Sequence, residues 1–352
     1  QYTDMEYDVL DKTKMDIVLN ETDSFNGWKK ETYKPFDNVN LCDNKDLSFK
    51  SVNHKNRDNI LGNCYAGCGK SYTIMNTIIP NIIEEGSSYI VLTPSHSCLT
   101  EYRKKGYNCN VIQRYQFCGK IPDEDYVIID EFGMVGNAGL SVIYKCYISG
   151  KNIIAYGDFK QLKAVDGNVY DKELWIDMIF NKKIEIDTNF RNHFTKDYYD
   201  RLINTNKISY LSKEVRKHST KSYKDAELII CYRNEVCKNY NEKMCEYRGI
   251  KHITDIGCKV MCRTNELRAL NIYNKYLFSV KELKDNLVVL NDTLEDYEIT
   301  IDELTKNFDY GYARTIYSIQ GESIKSYYFA VEDEKFLNGR VAYTIISRLK
   351  TK

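Results

Sequence analysis

The stretch Cys64-Tyr65-Ala66-Gly67-Cys68-Gly69-Lys70-Ser71 decides how this chain folds. A short apolar run, 59–63, precedes it, and a segment of helical length, 71–85, follows. At such a strand-to-helix junction, glycines let consecutive backbone N–H groups turn inward around phosphate oxygens. A lysine then reaches the β and γ oxygens, and a hydroxyl at the helix start suits a bound Mg²⁺. Gly67, Cys68, Gly69, Lys70 and Ser71 provide these parts. Cys64 stands where G-x-x-x-x-G-K-[ST] has its first glycine.

Outward from this loop, short β-rich runs recur at 89–93, 126–130 and 153–157, bounded by Gly, Asp or Pro. Buried runs separated by crossover segments are the signature of a parallel α/β sheet. A second set follows at 226–232, 257–262, 311–318 and 326–331, with 234–248 as a helix. The polar, lysine-rich stretch 195–224 is the natural boundary, so two α/β domains in tandem are expected. Their limits are 46–195 and 196–352, with a small β insertion at about 276–308 in the second. Residues 1–45 read as an acidic N-terminal extension.

Composition narrows the function. The 352 residues are 43% hydrophobic, too many for a disordered chain, and no apolar run nears the ~20 residues of a membrane span. With no signal-like segment at the start, a cytoplasmic or nuclear setting is expected, not secretion. The 50 basic and 50 acidic side chains cancel, so nucleic-acid binding would need a local groove. Lysine outnumbers arginine 37 to 13, a bias of AT-rich coding such as some protists and large DNA viruses show. The first methionine is Met5, which suggests a fragment or a processed chain. The twelve cysteines include no C-x-x-C, so reduced, buried thiols are expected rather than a zinc site.

Two further motifs carry chemistry. Val127-Ile128-Ile129-Asp130-Glu131 is an apolar strand ending in adjacent carboxylates, about 60 residues beyond the phosphate loop. That pattern suits a metal-binding Asp130, shared with Ser71, and a Glu131 that polarises the attacking water. In Ile153-Ile154-Ala155-Tyr156-Gly157-Asp158-Phe159-Lys160-Gln161-Leu162, a strand runs into Gly-Asp and a glutamine. An amide there can donate to a γ-phosphate and accept from water.

In this order the motifs resemble a superfamily 1 helicase of the RecD-like, 5′-to-3′ branch, over roughly residues 58–350. Gly157-Asp158-x-x-Gln161-Leu162 is the most branch-specific block, continued here by Lys163-Ala164-Val165 where the branch usually has Pro-Pro-Val. Val91-Leu92-Thr93-Pro94-Ser95-His96 is similar to the block that touches the nucleic-acid backbone, and Asn189-Phe190-Arg191-Asn192 to the one bearing the first arginine finger. Tyr312 to Glu322 resembles the block linking ATP to the bound strand, and Val341 to Arg348 the last block, with the second arginine finger.

The resemblance implies two RecA-like domains with Mg²⁺ and ATP between them. Lys70, Glu131, Gln161, Arg191 and Arg348 would be catalytic. Gln320 would sense nucleotide across the cleft, and Glu322 would contact its ribose. Thr93, Pro94, His96, Thr315, Tyr317 and Ser318 would line the strand path, with Tyr115 or Phe117 contacting backbone or base. Tyr317 replaces the family's histidine, and no glutamine lies between Gln1 and Gln113 to read adenine.

The implied activity is ATP-driven translocation on single-stranded DNA, favoured over RNA, with duplex unwinding in replication or repair, alongside other replication proteins and away from membranes. Two alternatives stand beside it: a viral-type RNA helicase or NTPase domain of a larger replication protein, and a P-loop scaffold that binds nucleotide without hydrolysing it.

Overall fold

The computed structural model describes residues 59–118, 120–162, 172–186, 188–292 and 295–350. The acidic extension 1–45, the Lys163-Ala164-Val165 departure and the side chain of Phe117 lie outside these.

The first half is built on six strands: β1 (Ile60–Cys64), β2 (Tyr89–Thr93), β3 (Cys109–Val111), β4 (Tyr126–Ile129), β5 (Asn152–Gly157) and β6 (Lys182–Ile186). They pair in the order β3-β2-β4-β5-β1-β6, all parallel. Ile128 sits in register with Val91 on one side and Ile154 on the other. Side chains alternate across a strand, and here both faces are apolar. Val127, Ile129, Ile153 and Ala155 join one core cluster, while Ile128, Ile154 and Tyr156 join another. Helices cover both faces, as a parallel sheet requires. The sequence reading missed β3, which is three residues long, and β6, whose Lys-Lys-Ile-Glu-Ile composition is that of a protected, charged edge strand.

The helical segment after the phosphate loop is interrupted. It runs as Lys70–Thr73, a π-helical turn Ile74–Ile78, then Ile79–Glu84. Pro80 has no N–H to complete the α-ladder, so the hydrogen-bond register shifts there.

The second half contains β7 (Leu228–Cys231), β8 (Lys259–Cys262), β9 (Leu277–Lys284), β10 (Leu287–Asn291), β11 (Asp296–Thr300), β12 (Phe308–Tyr310), β13 (Ala313–Thr315) and β14 (Tyr327–Phe329). Only β13-β7-β14 form a parallel sheet. Helices Lys196–Asn204, Ile208–Lys217 and Gly339–Ile346 pack on one face, and Asn234–Arg248 on the other.

The 257–262 run does not belong to that parallel sheet. As β8 it pairs antiparallel with β9 and β12, within the sheet β11-β10-β9-β8-β12 and over its own core of Val260, Phe278, Leu290 and Phe308. The inserted unit therefore begins well before residue 276. Periodicity cannot tell a strand's partners, and a short apolar run looks the same in either sheet. Among the described residues no helix is long and apolar enough to cross a membrane.

Candidate active site

Parallel α/β sheets place their ligands beyond the carboxyl ends of the strands, and here the ends of β1, β4 and β5 meet. Gly67 and Gly69 both lie in the left-handed region, at φ 81° and 80°. A side chain on Gly67 would also run into Asn189 Oδ1 at 2.5 Å and Arg191 Cβ at 2.7 Å. The loop therefore lies against the 189–191 segment, where the Phe190 N–H donates to the Gly67 carbonyl at 2.8 Å. Cys64 closes β1 and is buried among Ile74 and Met75. Its hydrogen bond to Cys68, helped by Lys70, lowers the Cys68 thiol to about 7, while the Cys64 thiol is raised.

Ser71 Oγ donates to Asp130 Oδ2 at 2.7 Å, and Tyr102 donates to the same oxygen at 2.9 Å. Lys70 Nζ stands 3.9 Å from Glu131 Oε1. Burial, with the neighbouring Glu131 charge, pushes the Asp130 carboxyl up. Burial acts the same way on Glu131, but Lys70, Arg348 and Arg191 more than offset it, and its carboxyl ends below the ordinary value. Glu131 is thus ionised at neutral pH. Its backbone is held at φ 58°, uncommon for a residue with a side chain and typical of functional turns.

Beyond β5, Gln161 Nε2 donates to Asp158 Oδ2 at 2.8 Å. The Gln161 side-chain oxygen, Oε1, is buried with no hydrogen-bond partner among the described residues. Asp158 Oδ2 also accepts from the Tyr343 hydroxyl at 2.5 Å, and that hydroxyl accepts from the Ala66 N–H at 2.9 Å. Tyr343 belongs to helix Gly339–Ile346 of the second half, so one phenol ties the phosphate loop to the opposite domain. Sequence reasoning missed it, because a tyrosine among thirty carries no signal of its own.

Both arginines reach the same place. Arg191 Nη1 donates to the Ser347 carbonyl at 3.1 Å. Burial and the nearby Arg348 charge lower Arg191 to about 10, still protonated at neutral pH. Arg348 is 1% exposed; Nη1 points at the Glu322 carbonyl at 3.4 Å, and Nε has no partner among the described residues. The half-buried Arg191 and the buried Arg348 repel each other unless an anion lies between them.

A cleft of about 860 Å³ opens in front of Gly67, Lys70, Ser71, Glu131 and Arg191, large enough for a small-molecule ligand. Among the further residues that line it and that the motifs did not flag are Phe190, 74% exposed beside Gly69, and Lys325 and Lys350 from the second half. The two lysines are brought together by the Ile324–Leu349 bridge.

Proteins with this fold are known. A family described as AAA domain matches residues 49–221. Two coordinating Pif1 helicases unwinding forked dsDNA give a TM-score of 0.60 at 18% identity, over 84% of this chain and 86% of that one. Pif1 from Bacteroides with ADP-AlF3 and ssDNA gives 0.57 at 18%, over 84% and 87%. Pif1 from Candida albicans gives 0.55 at 14%, over 83% and 88%. In fold, this chain is similar to these Pif1 helicases. No curated protein matches it.

Within this fold, the expected strand-path residues divide. Thr93 is fully buried, and its hydroxyl donates to the Ser95 carbonyl at 2.7 Å, so it shapes the turn and lines no groove. The Pro94 carbonyl accepts from Gln113 at 2.7 Å. Ser318 is nearly buried and donates to the Thr315 carbonyl; Thr315 itself is half-buried. Tyr317 stands edge-on to Tyr232, and Tyr115 packs against the first-domain core.

His96 stacks on Tyr273 of the inserted unit, with ring centroids 4.1 Å apart and planes 18° apart. Arg103 caps the other contacts, 4.1 Å over the Tyr273 ring and donating to the Tyr276 hydroxyl at 2.8 Å.

The two remaining nucleotide candidates are also engaged. Gln320 Nε2 donates to the Leu162 carbonyl at 3.2 Å, across the domain junction. Glu322 does not face the cleft as a ribose ligand. Its carboxylate is held by Arg314 in a fork of 2.8 and 2.6 Å, a partner that the motif comparison did not suggest.

Proposed function

We propose that this chain is an ATP-hydrolysing motor that translocates on single-stranded nucleic acid, DNA in preference to RNA, and unwinds duplex 5′ to 3′ in replication or repair inside the cell. The observation that carries the reading is the meeting of Lys70, Ser71, Glu131 and Arg191 at one cleft between the two halves, with Asp130 bonded to Ser71 and the buried Arg348 near enough for its charge to act on Glu131. A lysine, an ionised carboxylate and two facing guanidiniums are the parts phosphoryl transfer needs to place a water and neutralise the developing charge.

Glu131 would orient the attacking water. Gln161, whose buried side-chain oxygen Oε1 is still open to a donor, would help hold that water. Arg191, beside the phosphate loop near the domain boundary, and Arg348, from the second half, would stabilise the transition state. Phe190, exposed beside the phosphate loop, offers a sequence-tolerant stacking face for the base in place of an amide that reads adenine.

The site suits Mg²⁺. A hydroxyl and a buried carboxylate whose charge lacks a full counter-ion are hard oxygen donors of the kind this ion takes, with phosphates and water completing its shell. Ser71 and Asp130 would hold it, and it would supply charge neutralisation at the β and γ oxygens.

The strand preference is supported by the similar Pif1 structures, one of unwinding at forked dsDNA and one in complex with ssDNA. The direction is supported by the branch-specific Gly157-Asp158-x-x-Gln161-Leu162 block. The deciding experiment is ATP hydrolysis with and without single-stranded DNA or RNA. Stimulation greater with DNA is expected; hydrolysis indifferent to either strand would overturn the motor reading.

A further inference from the structure

We infer that Arg314 is a positioning residue that makes the strand-facing and nucleotide-facing ends of the 315–322 turn move as one body; the inference rests on the motor reading above. Arg314 lies on β13 with apolar neighbours Ala313 and Ile316, yet it is only 2% exposed. Burying a guanidinium is costly unless it is paired and hydrogen-bonded, and an apolar residue would serve a strand core without that cost.

Its fork closes the turn at two points. Nη1 donates to Glu322 Oε2 at 2.8 Å, and Nη2 donates to Glu322 Oε1 at 2.6 Å and to the Ser318 carbonyl at 2.6 Å. Nε is left without a partner among the described residues, so the pair is not optimised for stability alone.

The two closed points face different partners. Thr315 and Ser318 stand on the side assigned to the strand. Gln320 bonds the Leu162 carbonyl of the first domain, Gly321 lines the nucleotide cleft, and the Glu322 carbonyl meets Arg348. A displacement at Ser318 is therefore carried through one rigid planar group to the backbone that Arg348 touches. Without the fork, the bonds left within the turn are those of the Ser318 N–H and hydroxyl to the Thr315 carbonyl and of the Glu322 N–H to the Ile319 carbonyl, which are local to each end.

The test measures hydrolysis by Arg314→Met as a function of ATP and of single-stranded DNA, with strand binding followed by fluorescence anisotropy. Basal turnover and KM for ATP should stay within about twofold while stimulation at saturating strand falls about tenfold, the scale of a typical coupling between sites. Arg314→Lys, which keeps the charge but not the fork, should recover part of the stimulation. Full stimulation in Arg314→Met overturns the inference, as do basal and stimulated rates that fall by one common factor. Where Arg314→Met does not fold, Arg314→Lys is judged by the same split. Absence of stimulation in the unaltered protein overturns the motor reading and this inference together; stimulation there that survives both variants overturns this inference alone.

Discussion

The Tyr343 hydroxyl donates to Asp158 at the end of β5 while accepting from the N–H of Ala66 in the phosphate loop. One side chain of the second half thus sets both the floor of the nucleotide site and the residue that holds Gln161. Burial and the Asp158 charge raise the phenol well above its usual range, so it stays a donor at any working pH. Tyr343→Phe should lower stability by about 1–3 kcal/mol, because a buried N–H and a carboxylate oxygen lose a partner. Urea unfolding measures the loss, and a variant as stable as the parent would show that the bond contributes nothing net.

Glu131 is expected to be the activating base. Glu131→Gln should bind ATP as the parent does and turn it over about 10²–10⁴-fold more slowly. Lys70→Ala serves as the control that loses phosphate affinity. Turnover in Glu131→Gln equal to the parent's would remove Glu131 from the reaction.

Arg348 has two measurable effects. Its loss should reduce kcat by about 10³-fold or more, on the scale of arginine fingers, with ATP affinity little changed. It should also move the acid limb of the pH–rate profile. Burial raises the Glu131 carboxyl, while Lys70, Arg348 and Arg191 together bring it below its ordinary value. Removing one of these cations lets burial weigh more, so in Arg348→Ala activity should fall away at a higher pH than in the parent. An acid limb at the same pH in both proteins would contradict the assigned proximity.

The His96–Tyr273 stack closes the first domain onto the inserted unit. If His96 is to meet the strand, that stack must open first. Tyr273→Ala removes an aromatic contact of about 0.5–1.5 kcal/mol, so single-strand affinity should rise severalfold in an anisotropy titration. A fall in affinity would mean that Tyr273 itself holds the strand.

Thiol reactivity gives a structural check. Cys64 and Cys68 are almost inaccessible, so alkylation of the native protein should be slow with or without ATP, despite the lowered Cys68 thiol. Rapid labelling of either, read by mass spectrometry, would place the loop outside the core described above.

Much of the site was legible in the linear sequence because its parts are local. A glycine needing positive φ, a lysine and a hydroxyl must follow β1 directly, and Asp130 and Glu131 must end an apolar strand. Those constraints act within a few residues, so Gly67, Lys70, Ser71 and the carboxylate pair could be read as a series, and so could the parallel sheet of the first half. What the sequence left open concerns partners far apart in the chain. Thr93 has the right chemistry for a backbone contact, but burial turns its hydroxyl inward. Glu322 carries the charge expected of a ribose ligand, but Arg314, eight residues away across a turn, holds it. The 257–262 run reads as a parallel strand, yet it pairs with β9 and β12. The composition and spacing of this chain determined by themselves that it has a phosphate loop on a parallel sheet. Only the tertiary structure decided which side chains face the cleft, because burial, register and charge pairing are set by neighbours that the order of residues does not name.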